Sequence, residues 1–218
     1  MKIEDQIVIG VDVGGRSKGF HAVALTQGTF RKTRFSEPQE VALWCAEHQA
    51  SVVAVDAPCC WSCSGSSRLA ERELSKESIF CFATPTRAVA KNHKKGFYAW
   101  VFSGEAVYRA LGNAGYPLFD GKRSGQRICL ETFPHAIVCA LIGKTISAKP
   151  KSSSRRKVLT DLGYEVQSLS NIDFIDAALC AVAAREHAQG RTRTFGNSSE
   201  GFIVVPASKW YLPSTDDC

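Results

Sequence analysis

Residues 7–19 read IVIGVDVGGRSKG, and this stretch decides the fold. An unbroken run of Val, Ile and Gly that is closed by a glycine-rich turn is typical of a strand buried on both faces. The strand ends on Asp12, and a buried carboxylate is costly unless a cation or a set of hydrogen-bond donors meets it. Asp12 therefore predicts a bound or paired positive charge at the end of the first strand.

The composition of the 218 residues, 44% hydrophobic and 22% charged, is that of a soluble α/β domain. The formal net charge is +6, but residues 87–157 contain fourteen Lys or Arg and only three acids, which favours an anionic partner. We expect no membrane contact, because no apolar run approaches the roughly 20 residues of a membrane span. The first residues lack the apolar stretch of a secretory signal, and the nine cysteines suit reduced thiols, so the expected location is cytoplasmic.

The pattern of apolar residues predicts a mixed sheet. Strands are expected at residues 7–13, 20–26, 29–35, 51–58 and 126–133. The first three are joined by short turns and so run antiparallel, whereas a helix at 37–49 makes a right-handed crossover to a parallel fourth strand. The sequence thus predicts an α/β fold whose five-stranded sheet has the order 3-2-1-4-5 and is flanked by helices.

The whole chain, residues 1–218, is expected to form one domain with an insertion of helices and loops at about 59–125. Further helices are expected at residues 66–77, 97–112, 134–142, 155–162 and 169–189, and a short strand at 201–206. A loop rich in Lys and Ser is expected at 143–154.

Acids stand at three strand ends and on one helix that the predicted sheet brings together. Asp12, Asp56 and Glu131 close neighbouring central strands, where open α/β sheets keep their sites. Asp173 and Asp176 share one face of the last helix, and Asp176 is the better ligand because a place in the first helical turn explains Asp173. Each acid taken alone is explained by a strand end or a cap, so the set carries the hypothesis. Carboxylates that converge without matching cations repel one another, and Mg²⁺ or Mn²⁺ resolves that conflict.

A basic run provides candidate nucleic-acid contacts. Its members are Lys144, Lys149, Lys151, Arg155, Arg156 and Lys157. The run borders the helix that leads to Asp173, although a run of charges is also the ordinary sign of a solvated face. Arg16 and Lys18, in the first turn, either meet a scissile phosphate or form an exposed hairpin tip.

Other residues offer weaker candidates. A zinc site is one reading of Cys60, Cys63, Cys81 and His93, although buried thiols and loop residues are the simpler interpretation. His135 follows Glu131 closely and either moves protons near the metals or packs at a helix start. We expect core or surface anchors rather than base-stacking platforms at Trp61, Trp100 and Trp210.

Short motifs along nearly the whole chain resemble those of domain-of-unknown-function family 429, which is described as predicted ribonuclease H-like nucleases. The matching pieces are GVD at 10–12, KGF at 18–20, AVDAP at 54–58, Arg68 with EREL at 71–74, Glu131 with Pro134, Asp173 with DA at 176–177, and EG at 200–201 with VP at 205–206. The resemblance implies a ribonuclease H-like fold in which strand-end acids and an acid of the last helix serve one site. Two features depart from the family pattern: His135 stands where the family often shows an acid, and the CCWSC loop at 59–63 is unusual.

The resulting expectation is a nuclease that hydrolyses phosphodiester bonds of RNA, DNA or a hybrid with two divalent ions about 3.5–4 Å apart. The expected metal ligands are Asp12, Asp56, Glu131 and Asp176, with Asp173 and Lys18 in support. Two alternatives stay open. A phosphotransferase of the actin-like ATPase class shares the glycine turn after a strand-end Asp, but that class generally needs two such domains. A non-catalytic module would instead hold nucleic acid or a protein through the basic segment.

Overall fold

The computed structural model describes residues 6–15, 18–122 and 127–207. One sheet contains the strands β1 (Val8–Val13), β2 (Phe20–Thr26), β3 (Thr29–Phe35), β4 (Val52–Asp56), β5 (Ile128–Glu131), β6 (Thr192–Asn197) and β7 (Gly201–Pro206). The helices are α1 (Pro38–Glu47), α2 (Leu69–Lys76), α3 (Arg87–Asn92), α4 (Ala99–Asn113), α5 (Pro134–Ile142), α6 (Lys151–Asp161) and α7 (Ile172–Ala188), with one 3₁₀ turn at Lys94–Gly96. None of these helices is both long enough and apolar enough to cross a membrane.

The sheet has the order β3-β2-β1-β4-β5-β7-β6. The predicted order of the first five strands is confirmed, and so is the mixed α/β class. The sheet has seven strands rather than five, because β7 and β6 form an antiparallel hairpin that extends it beyond β5. The sequence pattern missed β6, since this edge strand is mostly half-exposed and carries no apolar run.

Helices cover both faces of the sheet. On one face, α5, α6 and α7 pack on Val8, Val23 and Leu130. On the other face, α1 and α4 pack on Ile9 and Val11. The side chains of β1 therefore alternate between two apolar layers, and Asp12, in step with Val8, faces the layer of α7.

Helix α7 lies directly against β1. A methyl group added to Gly10 would come within 2.0 Å of the Ala177 carbonyl oxygen and 2.3 Å of the Ala181 nitrogen. Only glycine permits this approach, because the backbone atoms of the helix fill the space that a Cβ would need. The consequence for the site is that α7 brings its first two turns down onto the ends of the central strands.

Strand register decides which acids share a face. Asp12 lies opposite His21 on β2 and opposite Asp56 on β4, so these three residues form a row across the sheet. Glu131 lies opposite Val55 instead. Since neighbouring positions along a strand point to opposite faces, Glu131 projects into the layer of α4 and away from α7.

Candidate metal centre

Three aspartates meet where α7 crosses the ends of β1 and β4. Asp12, Asp56 and Asp176 each offer a carboxylate oxygen, and these oxygens all lie within 4.8 Å of one another. The helix start is fixed by its N-cap, because the Asn171 side chain accepts a hydrogen bond of 2.9 Å from the backbone nitrogen of Phe174. This start places Asp176 one turn into the helix, above the two strand-end aspartates.

The three carboxyl groups share a site with little water. Burial, and after it the nearby charges of Asp176 and Asp173, raise the pKa of Asp12 to about 8 against the opposing effect of Lys18 and Arg155. Burial and the charge of Asp12 likewise raise the pKa of Asp56 well above its usual range. Burial also raises the pKa of Asp176, although Arg155 opposes the shift. Carboxyl groups perturbed in this way are characteristic of metal and catalytic sites.

Two side-chain cations already reach the acids of α7. Arg155, which is only 5% exposed, forms an ion pair with Asp176. The Lys18 ammonium lies 3.1 Å from a carboxylate oxygen of Asp173, and the Lys18 side chain is 59% exposed. The expectation that the acids converge without matching cations is therefore wrong for the two acids of α7. Asp12 and Asp56 have no ion pair of their own among the described residues.

The expectation that Glu131 joins the aspartates is also corrected. Its carboxylate is held by the guanidinium of Arg68, with nitrogen–oxygen distances of 2.5 and 2.7 Å, and by the Cys59 nitrogen at 2.7 Å. Arg68 is 1% exposed and also lies 2.8 Å from a carboxylate oxygen of Glu71. Both Glu131 oxygens are occupied by this buried ion pair, which joins β5 to the start of α2. Glu131 is in register with Val55 rather than with Asp56, so its side chain points to the opposite face of the sheet from the aspartates.

The predicted basic run does not form one surface. Its helix begins at Lys151, four residues before the predicted start, and this turns Arg155 inward to Asp176. Arg156 donates hydrogen bonds of 2.7 Å to the carbonyl oxygens of Val166 and Leu169, which fixes the loop before α7. The remaining members lie on the surface: Lys157 pairs with Asp161 at 2.8 Å, whereas Lys144, Lys149 and Lys151 are exposed.

The other candidates lie outside the aspartate cluster. Among the described residues, no group of His, Cys, Asp and Glu with metal-binding spacing includes a cysteine, so the proposed zinc ligands are not brought together. His135 is buried beside Cys139, with its Nε2 3.8 Å from the thiol sulfur, and belongs to neither candidate metal group. Arg16 and Trp210 lie outside the described residues.

Sequence reasoning missed His21 and assigned Arg155 to a nucleic-acid surface rather than to Asp176. One ring nitrogen of His21 lies within 4.8 Å of carboxylate oxygens of Asp12 and Asp173. Counting back from the β1–β2 turn would have placed His21 opposite Asp12. The inward position of Arg155 also had a signal, since Val158 and Leu159, three and four residues later, form the buried face of the same helix.

A cleft of about 620 Å³ opens next to the glycine turn that follows β1. Its lining includes Gly14 and Gly15 on one side and Tyr98 and Phe102, at the start of α4, on the other. Lys91 also contributes to the wall. The lining also includes Glu37 at the start of α1 and none of the clustered aspartates, so the cleft lies on the α1 and α4 side of the glycine turn.

Comparison with known proteins gives one family and a fold-level likeness. The sequence profile of the family described as "Protein of unknown function (DUF429)" matches residues 10–200. No curated protein matches the chain. A solved structure described as "Thermus thermophilus RuvC structure" has 17% sequence identity and a TM-score of 0.47, and the match covers 85% of this chain and 97% of that one.

Proposed function

Because the chain belongs to the DUF429 family, whose description assigns no activity, we propose from the site itself that the protein is a divalent-metal-dependent nuclease. The reaction we infer is hydrolysis of a nucleic-acid phosphodiester bond. The observation that carries this proposal is the meeting of Asp12, Asp56 and Asp176 within 4.8 Å at the ends of the central strands.

The donor set fits a hard divalent cation. Three carboxylates from three different elements supply only oxygen ligands, which is the preference of Mg²⁺ and Mn²⁺. Without a cation, burial and the charge of the neighbouring aspartates raise the pKa values of Asp12 and Asp56, which favours the protonated form of these groups. Asp12, Asp56 and Asp176 would hold the cation. A cation held there would activate a water molecule and stabilise the charge that develops on the leaving oxygen.

The surrounding residues suit a phosphate ester as substrate. Lys18 extends from the glycine turn beside the carboxylates with an exposed side chain, so its ammonium can contact a phosphate oxygen. The cleft beside the glycine turn, on the side of α1 and α4 and lined by none of the three aspartates, offers Tyr98 and Phe102 as surfaces for an unpaired base and Lys91 as a further phosphate contact. Lys144, Lys149 and Lys151, which are exposed, would extend the contact along the chain of phosphates.

A second function has one specific observation in its favour. Arg155 forms an ion pair with Asp176, and Lys18 forms one with Asp173. A protein that binds nucleic acid without cutting it needs no carboxylates for metal ions. The ion pairs of both α7 acids suit such a binding module.

The decisive experiment is a cleavage assay with Mn²⁺ or Mg²⁺ on single-stranded and duplex RNA and DNA, an RNA–DNA hybrid and a branched junction. We expect at least one substrate to be cut, and Asp12→Asn to lower the rate by at least about 100-fold, since it removes a charge that acts on the reacting centre. Asp161→Asn, which changes an exposed aspartate whose ion-pair partner in the described part of the chain is Lys157, is the matched control and should cut at the wild-type rate.

Cleavage by Asp12→Asn at the wild-type rate would refute the assignment of the site. Binding of the same substrates without any cleavage by the wild-type protein would instead favour the binding module.

A further inference from the structure

We propose a second cation site, formed by Asp12, His21 and Asp173, which shares Asp12 with the aspartate cluster. The inference deepens the proposed function, because it identifies the position and the kind of a second ion. It can be measured by cation binding alone, so its failure can be distinguished from failure of the nuclease assignment.

The fold places two sets of ligands side by side. His21, Asp12 and Asp56 form a row across β2, β1 and β4, in register. Asp173 and Asp176 lie three residues apart on α7 and so project from one face of that helix. Two groups result, and within each group the ligand atoms lie within 4.8 Å of one another. One group is Asp12, Asp56 and Asp176, and the other is Asp12, His21 and Asp173.

His21 supplies an observation that is independent of the acids. The residue is 5% exposed, and its Nδ1 is buried without a hydrogen-bond partner among the described residues. Buried polar atoms are nearly always paired, so the imidazole of His21 has unused binding capacity, and one of its two nitrogens lies beside the carboxylates of Asp12 and Asp173. The Phe174 ring meets the imidazole edge-on at a centroid distance of 4.7 Å and helps to fix its orientation.

The charge state of His21 suits a ligand. Burial lowers the pKa of the imidazole, with Arg34 and Lys18 adding to that effect and Asp173 opposing it. The neutral ring is the form whose lone pair binds metals. The acid of the same group, Asp173, is paired with Lys18, whose exposed side chain can move away when a cation enters.

The two groups differ in chemistry. The all-oxygen cluster accepts Mg²⁺ or Mn²⁺, whereas a site with an imidazole ligand favours Mn²⁺, Fe²⁺, Co²⁺ or Zn²⁺ over Mg²⁺. The protein is therefore expected to bind two Mn²⁺ ions but to hold Mg²⁺ well in only one place.

The test is a titration of the EDTA-stripped full-length protein with Mn²⁺, in which free Mn²⁺ is measured by electron paramagnetic resonance. We expect two equivalents for the wild type, one for His21→Gln, and competition by Mg²⁺ for one of the two bound ions. His135→Gln is the matched control, since His135 is a buried histidine outside both groups. It should keep two equivalents.

Circular dichroism checks that each variant is folded, and Asp173→Asn provides a second way to remove the site if His21→Gln does not fold. One Mn²⁺ equivalent in the wild type, or two in His21→Gln, would overturn the second site while leaving the nuclease assignment intact. Two equivalents that depend on His21, in a protein that cuts none of the nucleic acids, would support the site and refute the nuclease.

Discussion

The acid–base behaviour of Asp12 departs strongly from that of an exposed carboxyl group. Its pKa is raised to about 8 in the folded protein, from an ordinary value of 3.8. Between these two pH values the folded state holds a proton that the unfolded state has released. The free energy of unfolding therefore falls, as far as Asp12 is concerned, when the pH rises through this range.

This behaviour gives a prediction for Asp12→Asn, whose amide cannot ionise. In EDTA, the variant should gain stability relative to the wild type by roughly 1 kcal/mol per pH unit between about pH 5 and pH 8, since one pKa unit corresponds to about 1.4 kcal/mol. Urea denaturation at several pH values measures the difference. A difference that stays constant with pH would contradict the raised pKa. Saturating Mn²⁺ should reverse the order, because it stabilises the wild type more than the variant.

Arg68 gives a second prediction at this scale. Arg68→Met leaves the buried carboxylates of Glu131 and Glu71 without their common partner, and breaking a buried ion pair in this way costs about 3–5 kcal/mol. The control is Arg72→Met, whose side chain is 50% exposed and lies 3.8 Å from Glu200, so its cost should stay below about 1 kcal/mol. Equal midpoints of urea denaturation for the two variants would show that the Arg68 pair is not a principal support of α2.

The sequence allowed the strand-end positions of Asp12 and Asp56 to be predicted, because apolar runs that end in an acid are a local pattern. Glu131 has the same pattern but the opposite orientation, and its partner Arg68 is 63 residues away in the chain. No local signal carries that pairing. His21 was missed for a different reason: a histidine inside a strand becomes meaningful only when the register of the hairpin is known.

At the scale of elements, the contact between α7 and β1 governs the site. Helix α7 supplies Asp173 and Asp176, and its distance from the sheet is set by Gly10, where a Cβ would collide with the backbone of residues 177–181. Sequence alone predicted both elements. The closeness of their contact depends on the missing side chain of Gly10, and a pattern of apolar residues does not reveal that.

Gly10→Ala is therefore predicted to separate α7 from β1. Overpacking of this kind typically costs 1–3 kcal/mol, and backbone atoms that cannot move aside place this case at about the upper end. Mn²⁺ affinity should fall with stability, because the acids of the helix move away from those of the strands. The control is Gly112→Ala in α4, where an added Cβ meets nothing within 4 Å. Thermal unfolding with and without Mn²⁺ tests both variants, and unchanged Mn²⁺ affinity in a folded Gly10→Ala protein would contradict the argument.

The boundaries of α6 show the limit of pattern reading at this scale. The serines at 152–154 suggested a loop, but the helix starts at Lys151. The buried Val158 and Leu159 hold that helix against the core, and packing therefore overrides the low helix propensity of serine.

At the scale of the whole molecule, charge is distributed unevenly. The exposed Lys144, Lys149 and Lys151 stand at or before the start of α6, whose inner face carries Arg155 to Asp176. Among these three lysines, the charge of Lys151 acts on the Asp176 carboxyl, so the proposed polyanion would meet positive charge close to the aspartates.

Replacing these three lysines by Ala is predicted to weaken nucleic-acid binding uniformly across sequences. Each lost phosphate contact should reduce the slope of log affinity against log salt by about 0.7–0.9, so the triple variant should lose about two units or more. Fluorescence anisotropy in EDTA, where no turnover occurs, measures the slope. Lys157→Ala, whose ammonium is paired with Asp161, is the control and should change the slope little. An unchanged slope in the triple variant would exclude this surface as the binding face.

The ion pairs of Lys18 with Asp173 and of Arg155 with Asp176 affect the stability of the metal-free protein. Burial and mutual repulsion also raise the pKa values of Asp12 and Asp56, so the pocket carries less negative charge before any ion arrives than four ionised carboxylates would. The chain can thus fold in the absence of metal with less repulsion among the clustered carboxylates. Metal binding would then be an exchange. Incoming cations would displace protons from the aspartates and free Lys18 and Arg155 from their ion pairs.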